Sequence, residues 1–339
     1  MRLGSAGWLT ALTPLGTHKL FRFGAYHAWV PAFTLASVFT EWVRSPLGIM
    51  LPVGLSIGYA VCLVAAWRRS SRPSVFRALI FYVMGVGSLV LATDGGLAAY
   101  REVSFVAAAA QSGVLAAITP MGLALGDPLG LAARASGQDG PGWLHRVSTA
   151  RVSRILMFPA LASLLAVGVH LGLFVTPWLA ASVASGWVRE LTYLALLATG
   201  LLFVLPLLGH EELLPSWCTP PLRAVIAFAD GLLDALPGVI VMAWPGLLGA
   251  PVPAYLADRD PLWQQRLGGA AMFAIAEVVG LPLLAAVIVD WIRSDDRTAK
   301  EIDAALDLAH AQRVECQLGE EAMDRPWWEN DPRFTGRFR

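Results

Sequence analysis

Seven long apolar stretches constrain this chain more than any other feature of its sequence. They cover residues 48–67, 75–93, 102–125, 154–175, 188–209, 221–244 and 267–292. The hydrocarbon core of a bilayer is about 30 Å thick, and a helix needs about 20 mostly apolar residues to cross it. Only 15% of the residues are charged, whereas a typical soluble domain is about a quarter charged. The sequence therefore predicts an all-α integral membrane protein, a bundle of seven transmembrane helices.

Arginines concentrate in three of the segments that connect or follow these stretches, and they predict the orientation of the chain. The segments are WRRSSRPSVFR after the first stretch, the loop after the third, and WIRSDDRTAK at the end of the seventh. Seven alternating helices place all three on one side, and cytoplasmic loops carry an excess of Lys and Arg. The pattern predicts an N-terminus outside and a C-terminus inside. The loop GHEELLPSWCTPPLR falls on the same side but holds only one arginine, Arg223.

The distribution of charge divides the chain into three parts. Residues 1–47 form an extracytoplasmic or interfacial segment, residues 48–292 the membrane bundle, and residues 293–339 a cytoplasmic amphipathic helix and tail. Within the first part, residues 26–43 are apolar but short, and Glu41 interrupts them. They predict an amphipathic segment at the membrane interface, with an eighth helix as the alternative. The first residues lack the pattern of a secretory signal peptide.

Several classes of function find no support in the sequence. The formal net charge is zero, which gives no reason to expect nucleic acid as a partner. The three cysteines lie far apart and form no CxxC pair, so neither a disulfide framework nor a thiolate metal site is predicted. The sequence also lacks a P-loop, a GxSxG or HExxH motif and a dinucleotide fingerprint. We therefore do not expect an enzyme.

Ionisable residues inside the apolar stretches are the candidates for function. Each costs at least about 2.5 kcal/mol at the middle of a membrane helix, so such residues mark pairing or function. Asp230 and Asp234 are four residues apart and share one helix face. The other candidates are expected in the middle to outer half of the bundle: Asp94, His170, Arg189, Glu190 and Glu277.

Three interpretations of these residues remain open. In the first they are structural, with Asp234 paired to Arg189 or bonded to hydroxyl and backbone groups. In the second they bind a cation through His170, Asp234, Glu277 and Asp94, since carboxylates suit hard ions better than Cu(I). In the third they relay protons. His170 alone cannot make a site, so it is either a hydrogen-bonded structural residue or one ligand among several.

Several motifs share their order and spacing with one known family. They are TDGGL at 93–97, LALGDPLGLAARA at 123–135, GLLFVLPLLG at 200–209, RLGG at 266–269 and RPWWENDPRF at 325–334. Together they resemble the CtaG-type cytochrome c oxidase assembly proteins, particularly those of actinobacteria, over residues 33–339. The resemblance implies a seven-helix, multi-pass protein of the plasma membrane. It also implies respiratory oxidase subunits as partners and a role in loading copper into a haem–copper oxidase.

The chain departs from this family at the positions where copper ligands are expected. The resemblance implies an H-M-x-x-H stretch in the third span, and its two histidines correspond to Ala108 and Ser112. Histidines are likewise replaced by Phe158 in the fourth span, Arg189 and Ala195 in the fifth and Asp234 in the sixth, and Gln264 replaces an aspartate before RLGG. Alanine cannot bind a metal, and serine is a poor ligand for copper. The copper site is therefore expected to be degenerate.

These observations predict a CtaG-like membrane protein that assists the assembly or copper-site maturation of cytochrome c oxidase with a degenerate copper site. Two alternatives remain: a proton- or cation-linked membrane transport protein, and a structural accessory subunit of a respiratory complex. The interpretation requires Ala108 and Ser112 to face the interior of the bundle, because ligand positions on the lipid face would have no meaning. Asp230 and Asp234 are interpreted as replacements for lost imidazoles.

Overall fold

The computed structural model describes residues 33–34, 36–69, 72–136, 159–208, 220–249, 252, 254–257 and 260–323. The described helices are α1 (Ser37–Thr40), α2 (Pro46–Arg68), α3 (Val75–Tyr100), α4 (Phe105–Ser136), α5 (Pro159–Val175), α6 (Trp178–Ala184), α7 (Gly186–Leu208), α8 (Pro220–Ala243) and α9 (Pro261–Met323). A short 3-10 turn, Tyr255–Ala257, lies between α8 and α9. No strand occurs in these ranges. The all-α fold predicted from hydropathy is therefore confirmed.

Six of the described helices are long and apolar enough to cross a membrane, namely α2, α3, α4, α7, α8 and α9. A seventh span is reached if α5 and α6 count as one, although the pair bends by 71°. The N-terminal residues of the predicted fourth span, 154–158, lie outside the described residues. So do residues 1–32, the loop at 209–219 and the RPWWENDPRF motif.

Serine side chains cap the N-termini of α2 and α4. The Ser45 side chain accepts a hydrogen bond of 3.1 Å from the backbone N–H of Gly48, and Pro46 occupies the first turn of α2. Ser104 caps α4 in the same way, through a 3.4 Å bond from the N–H of Ala107. Serine at this position satisfies one of the backbone donors that a helix N-terminus leaves free, and proline fits the first turn because it has no N–H to lose.

Helices α3 and α4 each contain a π-helical segment, Phe81–Gly87 and Val114–Ile118. Each helix also has a break, α3 at Asp94–Gly95 and α4 at Gly126–Asp127. The wider π turn changes which residues face the neighbouring helix, and such turns are frequent at functional sites. Hydropathy predicted the two spans but neither irregularity.

Small residues bring the helices close together. A Cβ atom on Gly238 of α8 would lie 2.8 Å from the carbonyl oxygen of Gly269 on α9. The preceding glycine of the RLGG motif, Gly268, faces the Phe105 ring, where an added Cβ would lie 2.6 Å from Cδ1. The glycines of this motif thus pack α9 against both α8 and α4, as small residues do at membrane-helix interfaces.

Helix α9 joins two segments that the sequence separates by composition. It runs unbroken for 63 residues, through both the predicted seventh span at 267–292 and the charged stretch at 296–318. The charged stretch is thus helical and continues the helix of the seventh span, and the division of the chain at residue 293 stays a prediction. Exposed apolar side chains persist along the extension at Ile302, Leu306 and Leu308.

Candidate functional site

The two aspartates predicted to share a helix face line one cavity inside the bundle. Asp230 and Asp234 of α8 and His170 of α5 are its three ionisable lining residues, and its volume is about 50 Å³. The remaining wall, from α4, α5, α7, α8 and α9, consists of alanine, glycine and larger apolar residues. A cavity needs about 10–15 Å³ to hold one water molecule, so a cavity of this volume has room for about three.

Small residues on the neighbouring helices explain why space remains beside Asp230 and Asp234. The π segment of α4 contributes Ala116 and Ala117 to the wall, and α7 contributes Gly200. These side chains are too small to fill the space between α4, α7 and α8. The polar wall comes from α8 because residues 230 and 234 are one helical turn apart.

His170 is held by backbone carbonyls. Its Nδ1 lies 3.1 Å from the carbonyl oxygen of Ala166, one turn earlier in α5. The ring also hydrogen-bonds to the backbone of Ser112 on α4. His170 is therefore a hydrogen-bonded residue that joins α5 to α4, and it also borders the cavity.

Asp230 is the most deeply buried acid at the site, with 4% of its surface exposed. It forms a side-chain hydrogen bond with Ser163 of α5. Its other oxygen, Oδ1, is buried without a hydrogen-bond partner among the described residues. Asp234 is half-buried. A buried oxygen without a hydrogen-bond partner costs roughly 1–3 kcal/mol of stability, and more when its group is charged. The cavity beside Asp230 Oδ1 is therefore the candidate position for a partner.

Ala108 and Ser112, the positions where the resemblance implies histidines in the third span, lie in the interior. Ala108 is 3% exposed and Ser112 is 1% exposed. The Ser112 hydroxyl donates a 2.8 Å hydrogen bond to the carbonyl oxygen of Ala109 within α4. Neither residue is part of the cavity wall. Both positions thus face packed protein rather than lipid, as the interpretation from sequence required.

A second polar group, the end cluster, lies where α2 and α7 begin and near the break in α3. It consists of Ser45, Asp94, Glu102, Arg189 and Glu190. Arg189 lies 3.5 Å from Glu102 and 4.0 Å from Glu190. The Ser45 hydroxyl donates to Glu190 at 2.8 and 2.9 Å, and the Ser45 N–H donates to Asp94 Oδ1 at 2.8 Å.

The end cluster bears on one of the open interpretations. Arg189, one of the partners considered for Asp234, pairs with Glu102 and Glu190, because the first turn of α7 lies beside the Glu102 loop and not beside the cavity. Asp94 also belongs to this cluster. Ala195, the other substituted position of α7, is a half-buried residue whose carbonyl accepts a 3.0 Å hydrogen bond from Thr199.

Sequence reasoning missed a buried arginine near the end cluster. Arg101 is 2% exposed, donates to the Ser182 hydroxyl at 2.8 Å, and lies 5.4 Å from the centre of the Tyr193 ring. The Tyr255 hydroxyl donates to its backbone carbonyl, and burial raises the pKa of Tyr255. Hydropathy treated Arg101 as a loop residue. The signal was its position one residue before Glu102, at the break between two apolar stretches.

The structure brings together two of the four residues predicted to bind a cation. His170 and Asp234 both line the cavity, and Asp230 lines it as well. Neither Asp94 nor Glu277 is among the lining residues. Within the described part of the chain, no group of three or more His, Cys, Asp or Glu side chains is placed to hold a metal ion. The arrangement is that of an acid pair beside an imidazole.

Comparison with known proteins gives one family. The sequence model of the cytochrome c oxidase caa3 assembly factor family (Caa3_CtaG) matches residues 57–294. Uncharacterized proteins of Mycobacterium bovis and Mycobacterium tuberculosis are each 29% identical to the chain over 290 residues. One from Mycobacterium leprae is 26% identical over 286 residues.

These alignments cover 82%, 82% and 80% of this chain and 43% of each relative. The chain therefore spans less than half the length of these curated relatives. No solved structure matches the chain.

Proposed function

Because this chain belongs to the cytochrome c oxidase caa3 assembly factor family, we propose that it assists maturation of a respiratory oxidase through contact with oxidase subunits. It does so as a multi-pass protein of the plasma membrane, without a copper site of its own and without catalysing a reaction. The family supports the role in assembly. The residues of this chain support the absence of a copper site.

The observation that carries this proposal is the burial of Ala108 and Ser112 in packed protein. They are 3% and 1% exposed, and neither an alanine methyl nor a serine hydroxyl is a good copper ligand. The next residue of α4, Gly113, is so close to α9 that a Cβ there would lie 3.2 Å from Ile275 Cδ1. Both side chains are therefore enclosed by protein, and neither offers a donor atom that copper prefers.

The other substituted positions support the same conclusion. Arg189 is engaged with two carboxylates in the end cluster, and a permanently charged guanidinium repels a metal cation. Asp234 lies at the cavity with Asp230, where the chemistry is that of carboxyl groups. Among the described positions where family histidines are expected, Arg189 is engaged in the end cluster and Asp234 lies at the cavity, which supports a site without copper ligands.

The copper content of the purified full chain tests the absence of a metal site. After growth in copper-supplemented medium and removal of loosely bound metal, we expect far less than one copper per chain by atomic absorption. A Ser112→Ala variant is the matched control, because it removes the remaining oxygen at this position and leaves the packing almost unchanged. One tightly held copper per chain in the wild type would contradict the proposal, and loss of that copper in Ser112→Ala would place it at this position.

Oxidase assembly tests the contact role. We expect deletion of the chain to lower the amount of mature oxidase, and an affinity-tagged copy to recover both the oxidase and its subunits on purification. Ser112→Ala is expected to rescue assembly as well as the wild type does. Unchanged oxidase in the deletion strain, together with no oxidase subunit bound to the tagged chain, would contradict the role in assembly.

A second candidate function, proton- or cation-linked transport, is favoured by the position of Asp230 and Asp234 in an interior cavity. The test is ion flux into vesicles that contain the purified chain. A transport role predicts flux in the wild type that Asp234→Asn abolishes, whereas the assembly role predicts no difference between the two. A structural accessory role would place the chain in the mature oxidase in fixed stoichiometry.

A further inference from the structure

We propose that Asp230, Asp234 and His170 form a proton-binding site in the interior of the bundle, where the carboxyl pair retains a proton and water in the cavity completes its hydrogen bonds. The ligand is the proton together with water. The inference stands apart from oxidase assembly and requires no transport, because it concerns only what the three side chains hold in place.

The first argument is the balance of charge around the cavity. No lysine or arginine is among its lining residues, and neither aspartate takes part in an ion pair within the described part of the chain. His170 is the only lining residue that can carry positive charge. With a neutral imidazole, the site is neutral only if both carboxyls are protonated. With a positively charged imidazole, the site is neutral if one carboxyl is protonated.

Either charge state of His170 therefore leaves at least one protonated carboxyl in a neutral site. The alternative is a net negative charge inside an apolar wall, which is costly because the charge is taken out of water without a partner. Two like charges one helical turn apart add to this cost. A shared proton removes both penalties.

The second argument concerns the groups on every helix packed around the pair. From α5, His170 and the Ser163 hydroxyl reach the site. The lining residues of α4, α7 and α9 are apolar or glycine, and they include Ala116, Phe203, Met272 and Ala276. Glu277 follows Ala276 on α9 without lining the cavity. The acid–base chemistry of the site is therefore limited to two carboxyls and one imidazole.

The third argument is the unsatisfied oxygen. Asp230 is 4% exposed, lines the cavity, and has a buried Oδ1 without a hydrogen-bond partner among the described residues. A protonated carboxyl has one O–H donor and an ionised one has only acceptors, so both forms need a partner here. The cavity has room for about three water molecules, which can accept from one aspartate and donate to the other.

A metal ion fits these residues less well. Within the described part of the chain, no three His, Cys, Asp or Glu side chains are placed around one point, although His170, Asp230 and Asp234 all line the same cavity. A proton needs no coordination sphere, and a carboxyl pair with water can hold it. The residues at the cavity therefore suit a proton better than a metal ion.

Infrared spectroscopy of the purified full chain in lipid nanodiscs tests the proposal. At neutral pH we expect a C=O band of protonated carboxyl that shifts in heavy water and disappears in alkaline buffer. Asp230→Asn and Asp234→Asn are expected to remove most of this band. Glu277→Gln and Asp94→Asn, which change acids away from the cavity, are expected to leave it intact.

A measurement on the wild type alone keeps the test valid if an aspartate variant fails to fold. Carbon-13 in the aspartate side chains is expected to shift the band, which assigns it to aspartate and not to glutamate. The proposal is overturned if the wild type shows no protonated carboxyl at neutral pH. It is also overturned if the isotope leaves the band in place, or if Glu277→Gln or Asp94→Asn removes it while the cavity variants retain it.

Discussion

Gln265 shows how a single buried amide can hold a connection between two membrane helices. Its Oε1 accepts a 2.8 Å hydrogen bond from the N–H of Leu248, and its Nε2 lies 3.3 Å from the carbonyl of Val241 and 3.0 Å from that of Gly246. The residue is 2% exposed. One side chain of α9 therefore satisfies three backbone groups at the end of α8 and in the loop that follows.

We expect Gln265→Ala to destabilise the protein by about 2 kcal/mol, because it leaves a buried backbone N–H and two carbonyls without their partner. Gln264→Ala is the matched control. The Gln264 side chain is half-buried and makes no side-chain hydrogen bond within the described part of the chain, so its loss should cost little stability. The measurement is denaturant unfolding in one detergent. Equal losses in the two variants would contradict the role of Gln265.

Asp127, in the LALGDPLGLAARA motif, combines a cap with two ion pairs. Its Oδ1 accepts from the N–H of Gly130 at 2.9 Å, and its Oδ2 lies 2.7 Å from Arg77 and 3.2 Å from Arg134. Its φ of 51° is in the left-handed region, which asparagine also tolerates. We expect Asp127→Ala to cost about 1–2 kcal/mol of unfolding free energy.

Asp127→Asn separates the cap from the ion pairs, since it retains the capping oxygen and the tolerance for positive φ. It is expected to lose well under half of what Asp127→Ala loses, because pairs between partly exposed charges contribute little. Unfolding measured at low and high salt checks this. An asparagine variant as unstable as the alanine variant, with strong salt dependence in the wild type, would show that the ion pairs dominate.

At this scale the sequence identified residues better than partners. The spacing of Asp230 and Asp234 predicted a shared face, and the cost of charge in a membrane singled out His170. Arg189 was one of the partners considered for Asp234, and it pairs with Glu102 and Glu190 instead, since partners are set by the depth at which each helix begins and by which helices are neighbours. Arg101 was missed because hydropathy cannot distinguish a loop arginine exposed to water from one that is buried against Tyr193 and Ser182.

At the scale of elements, apolar length predicted the six long helices of the described residues, but the hydrogen-bonding register inside a helix was not predictable. The first predicted stretch, 48–67, corresponds to Pro46–Arg68, and 221–244 corresponds to Pro220–Ala243. The π segments of α3 and α4 have the same composition as ordinary membrane helix. The first of them packs closely against α4: a Cβ on Gly122 would lie 2.3 Å from the backbone nitrogen of Gly85 within it.

Gly200 provides a test of this close packing. A Cβ there would lie 2.1 Å from the carbonyl oxygen of Ala116, in the π segment of α4. We expect Gly200→Ala to destabilise the protein by about 1–3 kcal/mol, because backbone atoms must move apart. Since Gly200 and Ala116 both line the cavity, the variant should also alter the carboxyl band of the acid pair.

Gly168→Ala is the matched control for Gly200→Ala. Gly168 is also a helix glycine, on α5, but an added Cβ would meet nothing within 4 Å. Alanine has the higher helix propensity by about 1 kcal/mol, so this variant should be neutral or slightly more stable. The comparison uses thermal unfolding of both variants under the same conditions. Destabilisation by both would show that glycine is needed for a reason other than the contact with α4.

At the scale of the whole molecule, the family motifs and the ligand positions behave differently. The glycines of RLGG and the aspartate of LALGDPLGLAARA make contacts that hold helices together, and these contacts are present here. The described positions where family histidines are expected, Ala108, Ser112, Arg189, Ala195 and Asp234, take no part in these contacts. Packing and capping do not depend on imidazole, so the proposed absence of a copper site is compatible with the family fold.

The length of α9 leads to the last prediction, which concerns how the molecule crosses the membrane. The positions of Asp260 and Ala305 are separated by about 70 Å of helix at 1.5 Å per residue, more than the 40–45 Å of a bilayer with its headgroups. We expect a cysteine at Asp260→Cys to react with a membrane-impermeant thiol reagent added outside the cell. A cysteine at Ala305→Cys should react only when the cytoplasmic face is exposed.

The labelling must be done in a chain whose native cysteines, Cys62, Cys218 and Cys316, are replaced by serine. This background, treated identically, sets the level of non-specific reaction. Opposite sidedness for the two positions would place α9 across the bilayer and its extension in the cytoplasm, as the distribution of arginine predicts. If both cysteines react from the outside, α9 does not cross the membrane between them, and both the seventh span and the cytoplasmic tail would have to be abandoned.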